Sequence, residues 1–451
     1  MRIRLGIPMQ LSEIARATQS ILNQSNDALI TNISTDTRDL QKGDLFIAIK
    51  GKNYNGEDFL STARMLGAYT LSSSKDSDII CNDSLDALLN LASYYAKKLP
   101  NILYKIAITG SVGKTTTKEF TKILLSTRYK VHSSSGNYNN EIGMPMSILS
   151  ADADTEILLM EMGMNHRGEI SRMSNCLCPN IALITNIGTA HIGNLGSREE
   201  IVAAKMEIRY GMSDGILILP YDEPLLKKYE PSYSFSDMDA GADFYLKSDD
   251  KNDILIYYKQ NLLCVSKFKL MEKHHLSCLL AALSIAISAG VDPDSVSRGI
   301  SLISNDNTRQ TTIYKKGIHF YLDCYNASYE SMIACIRSAE SALITGHKHL
   351  LLGDILELGD MAEEIHYNVG RNISRNVFDY LFLFGSHAGY IAKGAISNGF
   401  PIERIIHNAD LSSPEKTAEQ IKLLCSVGDT VFLKASRSIR LERVVDHFFK
   451  E

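Results

Sequence analysis

The sequence predicts an α/β protein of three domains: a mixed α/β front, a central parallel sheet with helices on both faces, and a second, smaller doubly wound unit. Three observations predict it. The chain has 451 residues, enough for about three domains at roughly 150 residues each. Short apolar runs alternate with helical stretches through the middle of the chain, as in βαβ units. The same alternation restarts near Asn305. The expected boundaries are residues 1–100, 101–305 and 306–451.

The front begins "MRIRLGIPMQLSEIARATQSIL", which lacks a continuous apolar core and reads as an amphipathic helix instead of a signal peptide. Further on, Gly43-Asp44 form a turn feeding the apolar run Leu45 to Ile49. In the middle, "KIAIT", "EILLMEM", "NIALITNI" and "GILILP" are buried-strand candidates, with helical stretches such as "HRGEISRMSNCL" and "SREEIVAAKMEIRYGM" between them. A β-rich stretch at about 232–270 precedes the apolar helix "HHLSCLLAALSIAISAG". The last part reads as strands "IHFYLDCY", "KHLLLGD", "YLFLFG", "RIIHNA" and "DTVFLKAS", with helices between them and a final helix "IRLERVVDHFF".

Bulk chemistry excludes several classes. Hydrophobic residues make up 45% and charged residues 22%, an ordinary globular balance. A net charge of -5 offers no basic surface for nucleic acid. Eight cysteines without C-x-x-C pairs fit neither a zinc ribbon nor a disulfide framework and suit a reducing cytosol. No run approaches the roughly 18 apolar residues of a membrane span. The expectation is a cytoplasmic protein.

The sharpest motif is "ITGSVGKTTTKEF", from Ile108 to Phe120. The common phosphate loop is G-x-x-x-x-G-K-[ST]. Here the outer glycine is Gly110, giving a compact loop of Gly110, Ser111, Val112, Gly113, Lys114, Thr115 and Thr116. A strand, a glycine turn and a helix start direct backbone N–H groups at phosphate oxygens. Lys114 is placed to reach the β/γ-phosphates of ATP, and the Thr115 hydroxyl to bind Mg²⁺. A bare glycine turn with a chance lysine is the alternative; the flanking strand and helix weigh against it.

Other candidates sit at strand exits, where open α/β sheets place their sites. Glu161 ends "EILLME" and suits Mg²⁺. His191 follows "NIALITNIGTAH" at the same edge, where a metal or phosphate role competes with a structural one. Lys205, in "IVAAKMEI", reads on its own as an exposed helical lysine. In "SGNYNNEIGMP", Asn139 and Asn140 either orient substrate or make a turn cluster. Asp323, Tyr325 and Asn326 close the first strand of the last domain, and Asp354 and Glu357 close the next. That edge is expected to face the phosphate loop across a cleft.

Taken in order, "DTRDLQKGDLFIAIKG", "TGSVGKTTTKE", "NYNNEIGMP", "EMGMNHRGEI", "TNIGTAHIGNLGSREEIVAAK", "DCYNASYESM", "LLGDILELGD" and "LKASRSIRLERVV" resemble the Mur ligases of peptidoglycan synthesis along essentially the whole chain. The resemblance is greatest to the branch that joins D-alanyl-D-alanine (D-Ala-D-Ala) to UDP-N-acetylmuramoyl-tripeptide (UDP-MurNAc-tripeptide). It implies a UDP-sugar-binding front domain, a central ATPase domain and a Rossmann-like closing domain; apart from the resemblance, a monomer is expected. It implies ATP and Mg²⁺ as cofactors and an acyl-phosphate intermediate. It assigns His191 to a second metal and makes Lys205 a carbamylated supporter of that metal, against the bland reading. Arg309 and Asp323 resemble the residues that hold the nucleotide, as does His274. Thr37 and Arg38 resemble the uridine-diphosphate contacts. Asn139, Asn140, Asn326, Asp354, Glu357 and Ser436 fall on the substrate side. The chain departs from the family pattern at His275 and Cys278, which replace asparagines, at Tyr329, which replaces a proline, and at Ala435, which replaces a glycine. Two other readings are a related amide ligase of MurE-like or folylpolyglutamate type, and a ligase-derived nucleotide-binding regulator. No D-N-P-R motif of the diaminopimelate-adding relatives is present.

Overall fold

A computed structural model describes residues 1–51, 54–248, 253–266, 274–303 and 311–449. Three sheets follow one another along these residues. The front sheet holds β1 (Arg2–Gln10), β2 (Ile21–Leu22), β3 (Leu29–Ser34), β4 (Leu45–Ile47), β5 (Tyr69–Ser72) and β6 (Ile79–Ile80), in the order β1-β3-β4-β5-β6-β2. Residues Arg2–Gln10 thus form a strand, where a helix was expected; only Leu11–Ala17 is helical. The reason is visible in the packing. Ile3, Leu5, Ile7 and Met9 alternate with period two, and Leu5 and Met9 are buried against the front core. Two-residue alternation suits a strand pleat, not a helix face.

The central sheet contains β7 (Tyr104–Thr109), β8 (Val131–Ser133), β9 (Ile157–Glu161), β10 (Ile181–Ile184), β11 (Ile216–Pro220), β12 (Tyr233–Ser236), β13 (Phe244–Ser248), β14 (Ile254–Tyr258) and β15 (Asn261–Ser266). Their order is β15-β14-β13-β12-β11-β10-β7-β9-β8. Strands from β8 to β13 pair in parallel, and β14 and β15 add an antiparallel edge. Both faces of the middle strands are covered, which explains their unbroken apolar runs. Ile106 and Ile108 pack with Phe120 and Leu124 of the helix Lys114–Leu125 and with Leu279 and Leu283 of the helix His274–Ser288. Ala107 and Met160 face the opposite core with Ile170 and Met173.

The last sheet holds β16 (Thr311–Lys315), β17 (Ile318–Asp323), β18 (Lys348–Gly353), β19 (Tyr380–Phe384), β20 (Ile405–Asn408) and β21 (Thr430–Lys434), in the order β16-β17-β21-β18-β19-β20. All pairs are parallel except β16 with β17. The β16 edge strand carries little apolar pattern and was not anticipated. Front and central units meet closely at Tyr95. Its buried hydroxyl donates to the Ala151 carbonyl at 2.7 Å and accepts the Ile7 N–H at 2.7 Å. Among the described residues, no helix is long and apolar enough to cross a membrane.

Candidate active site

The compact loop joins β7 to the helix Lys114–Leu125. Gly113 caps that helix with a left-handed φ of 82° and no side-chain cap, so the first-turn N–H groups point at the loop's concavity. Gly110 has φ 151°, and a Cβ there would lie 1.8 Å from Thr185 Oγ1. Glycine is therefore required by both torsion and space. Lys114 Nζ folds back to donate to the Gly110 carbonyl at 2.7 Å. Ser111 Oγ accepts the Gly188 N–H at 2.8 Å. Asn186 accepts the Val112 N–H through Oδ1 at 2.9 Å and donates to the Val112 carbonyl at 3.0 Å.

Beside the loop, Thr115 Oγ1 donates to Glu161 Oε2 at 2.6 Å, and Asn139 Nδ2 donates to Glu161 Oε1 at 2.7 Å. Glu161 is buried at the carboxyl end of β9. A hydroxyl and a carboxylate next to a phosphate loop, the carboxylate held by the Asn139 amide, are hard oxygen donors that fit Mg²⁺. Lys205 is only 1% exposed, so the structure overturns the exposed-lysine reading. Its ammonium has no ion-pair partner among the described residues. Burial, and then the positive charge of Lys114, push its pKa well below the usual lysine value.

One cavity of about 280 Å³ joins this edge to the last sheet. Thr115, Thr116 and Glu161 line it on one side, and Asp323, Tyr325, Asn326, Glu330 and Lys434 on the other. Asp323 ends β17 and pairs in register with Lys434 at the end of β21. Lys434 Nζ donates to Asp323 Oδ2 at 2.7 Å and to the Asn326 carbonyl at 2.9 Å. His275 is buried and lines the same cavity, and the Cys278 thiol donates to the Gly113 carbonyl at 3.8 Å. Burial pushes the Cys278 thiol up to about 11.

The central and last units also touch around the loop after β10. The Glu330 carboxylate accepts the Thr189 N–H at 2.9 Å and the Thr189 hydroxyl at 3.2 Å. Glu357 Oε2 lies 2.5 Å from His191 Nδ1, and that hydrogen bond lowers the Glu357 pKa.

Several expected residues lie elsewhere. The Asp354 carboxylate is buried and accepts the Ala388 N–H at 2.7 Å, capping the helix Ala388–Ser397. Ser436 Oγ accepts the Leu356 N–H at 2.9 Å. Asn140 Oδ1 accepts the Gly143 N–H at 2.8 Å at the start of the helix Gly143–Leu149. None of these three lines the cavity. Thr37 and Arg38 form a short turn in the front unit, where Arg38 pairs with Asp36. His274 opens its helix, but its side chain and all of Arg309 lie outside the described residues. Asn186, Glu330 and Lys434 were not singled out as site residues. A lysine inside the apolar run "DTVFLKAS" was the available signal for Lys434.

A compact phosphate loop beside a carboxylate, facing a second parallel-sheet edge across one cavity, is the architecture of an ATP-dependent ligase. Residues 108–286 match the Mur ligase middle domain, and residues 308–437 match the Mur ligase, glutamate ligase domain. The chain belongs to the Mur ligase family. It is 35% identical over 440 residues to the UDP-N-acetylmuramoyl-tripeptide–D-alanyl-D-alanine ligase of Bacillus subtilis (strain 168), covering 94% of each chain. It superposes on a crystal structure of MurF from Acinetobacter baumannii with a TM-score of 0.88 at 26% identity, covering 99% of this chain and 100% of that one. It superposes on MurF from Thermotoga maritima in complex with ADP with a TM-score of 0.77 at 29% identity, covering 92% and 96%.

Proposed function

We propose that this chain joins D-Ala-D-Ala to UDP-MurNAc-tripeptide at the expense of ATP, giving the pentapeptide precursor of peptidoglycan in the cytoplasm. The observation that carries this reading is the shared cavity in which the phosphate loop and Glu161 face Asp323, Asn326 and Lys434. We assign residues 1–100 to the UDP-sugar, 101–305 to ATP, and 306–451 to closure over both. The described lining of the cavity comes from the central and last units of one chain, and we assign the protein as a monomer.

The chemistry needs this arrangement. A carboxylate is a poor electrophile with no good leaving group. Its oxygen attacks the γ-phosphorus of ATP, the bond to the β,γ-bridging oxygen breaks, and ADP leaves. The resulting acyl phosphate is attacked at carbon by the dipeptide amine. The tetrahedral adduct loses a proton from nitrogen and expels phosphate. Lys114 and the helix N–H groups offset the charge that gathers on the phosphoryl oxygens. Gly110 and Gly113 let the backbone approach the phosphates, and Asn186 holds the loop at Val112. Thr115 and Glu161, with Asn139 orienting Glu161, would hold Mg²⁺. That ion, when bound, screens the two anions that must meet. His191 and a carbamylated Lys205 would hold a second ion. A neutral amine is the form that adds CO₂, and burial favours that form at Lys205. Asp323 is assigned to the ribose and Lys434 to keeping Asp323 and the Asn326 loop in place. Thr37 and Arg38 are assigned to the uridine diphosphate.

Phosphate release from ATP tests the proposal, with UDP-MurNAc-tripeptide and D-Ala-D-Ala added separately and together. Release only with both, with a new pentapeptide mass, is the expected result. Release with a single amino acid in place of the dipeptide moves the chain to another branch of the family. ATP binding with no product moves it to a regulatory role.

A further inference from the structure

The loop after β10 carries His191 and is gripped from the other unit at three points. Glu330 takes both the N–H and the hydroxyl of Thr189. The Glu357 carbonyl accepts the Gly193 N–H at 3.0 Å. The Glu357 carboxylate lies 2.5 Å from His191 Nδ1. The approach is so close that a Cβ on Gly193 would lie 2.5 Å from the Gly359 N atom.

Both partners of the side-chain contact have unusual backbones. His191 has φ 65° and Glu357 has φ 63°, left-handed torsions that are uncommon outside glycine, though less so for histidine. Such torsions persist where the surroundings impose them and cluster at functional sites. Here they turn two side chains from different units toward each other. The carboxylate accepts from His191 Nδ1, so Nε2 is the ring nitrogen left to face a ligand. No hydrogen bond to Nε2 is found among the described residues. A carboxylate behind a histidine fixes both tautomer and ring orientation for metal binding.

We infer that Glu357 is a positioning residue for His191, delivered by the closing unit, so that the second metal site is completed only when the central and last units come together. The inference rests on the proposed reading of His191 as a ligand of a second ion. It moves Glu357 from the substrate side, where the resemblance placed it, to the support of a metal ligand. It also makes ion binding at His191 report closure, because an open enzyme lacks the carboxylate behind the imidazole.

The test is a Mn²⁺ titration followed by electron paramagnetic resonance, on the full chain with a non-hydrolysable ATP analogue. Wild type, Glu357→Gln, Glu357→Leu and His191→Ala are compared. Retained binding of the first ion shows in the same sample that each variant is folded. Glu357→Leu is expected to weaken the second ion by about ten- to a hundredfold. Glu357→Gln, whose amide oxygen still accepts from Nδ1, is expected to recover most of that loss. Full second-ion affinity in Glu357→Leu, with a defect in His191→Ala, overturns the inference alone. Full affinity in His191→Ala overturns the ligand reading and the inference with it.

Discussion

Two buried lysines, one close to the phosphate-loop Lys114 and one in the wall of the cavity, have opposite surroundings. Lys205, on the central side, is 1% exposed and has no ion-pair partner among the described residues; burial and the charge of Lys114 drive its pKa down. Lys434, on the closing side, is 2% exposed but is ion-paired with Asp323 and donates to the Asn326 carbonyl. The difference separates two uses of one residue type. A lysine buried without an anion is pushed toward the neutral amine, a nucleophile. A lysine buried against a carboxylate and carbonyls becomes a fixed structural cation. Under the proposed function, the central edge would supply reactive groups and the last unit a fixed charge pair, Lys434 with Asp323, beside the nucleotide.

The largest effect is expected at the loop. Lys114→Ala should lower kcat by about a thousandfold while circular dichroism and the melting temperature stay near wild type. Substrate-dependent phosphate release at an undiminished rate would remove Lys114 from the chemistry. Next comes Lys205→Ala, with a loss on the order of a hundredfold. Depleting dissolved CO₂ should slow the wild type and leave the residual Lys205→Ala rate unchanged. Equal sensitivity of both proteins to CO₂ breaks the contrast between the two lysines. Lys434→Met should act mainly on stability, costing about 2 kcal/mol in urea denaturation, because it strands a partly buried Asp323 carboxylate. It should also raise the KM for ATP. An unaltered stability and KM would make the Asp323 pair dispensable.

The smallest effect concerns the thiols that flank the two edges. Burial pushes Cys278 up to about 11 and Cys324 up to about 12. For a raised pKa the thiolate is scarce at every pH below that value, so alkylation by iodoacetamide at pH 8 should be negligible at both. Peptide mass mapping checks this. Rapid labelling of Cys278 would mean that the contact between its helix and the phosphate loop opens readily.

The phosphate loop was legible because its signal is local: an apolar strand, two glycines and a lysine at a helix start fall within a dozen or so residues. The parallel sheets were legible for a related reason, since strands covered on both faces read as continuous apolar runs. The front strand was misread although Ile3, Leu5, Ile7 and Met9 alternate, because the following Leu11–Ala17 is a real helix and its pattern was extended backward. Read without the resemblance, Lys205 passed for exposed because only the C-terminal half of its helix is buried; Ile201, Val202, Ala204 and Met206 are buried with it.

By itself the sequence determined the alternation of strands and helices in the central and last units, apart from the edge strand β16, together with the compact phosphate loop and the carboxylate Glu161 at the next strand exit. Each depends on neighbours a few residues away, where backbone torsion and apolar periodicity act directly. Only the tertiary structure decided which side chains at those exits face the cavity and which cap helices, as Asp354 and Asn140 do. It alone brought Lys434 to Asp323 across 111 positions of chain and Glu357 to His191 across 166. Contacts of that span are set by how the sheets stack and close, and no local torsion or periodicity encodes them.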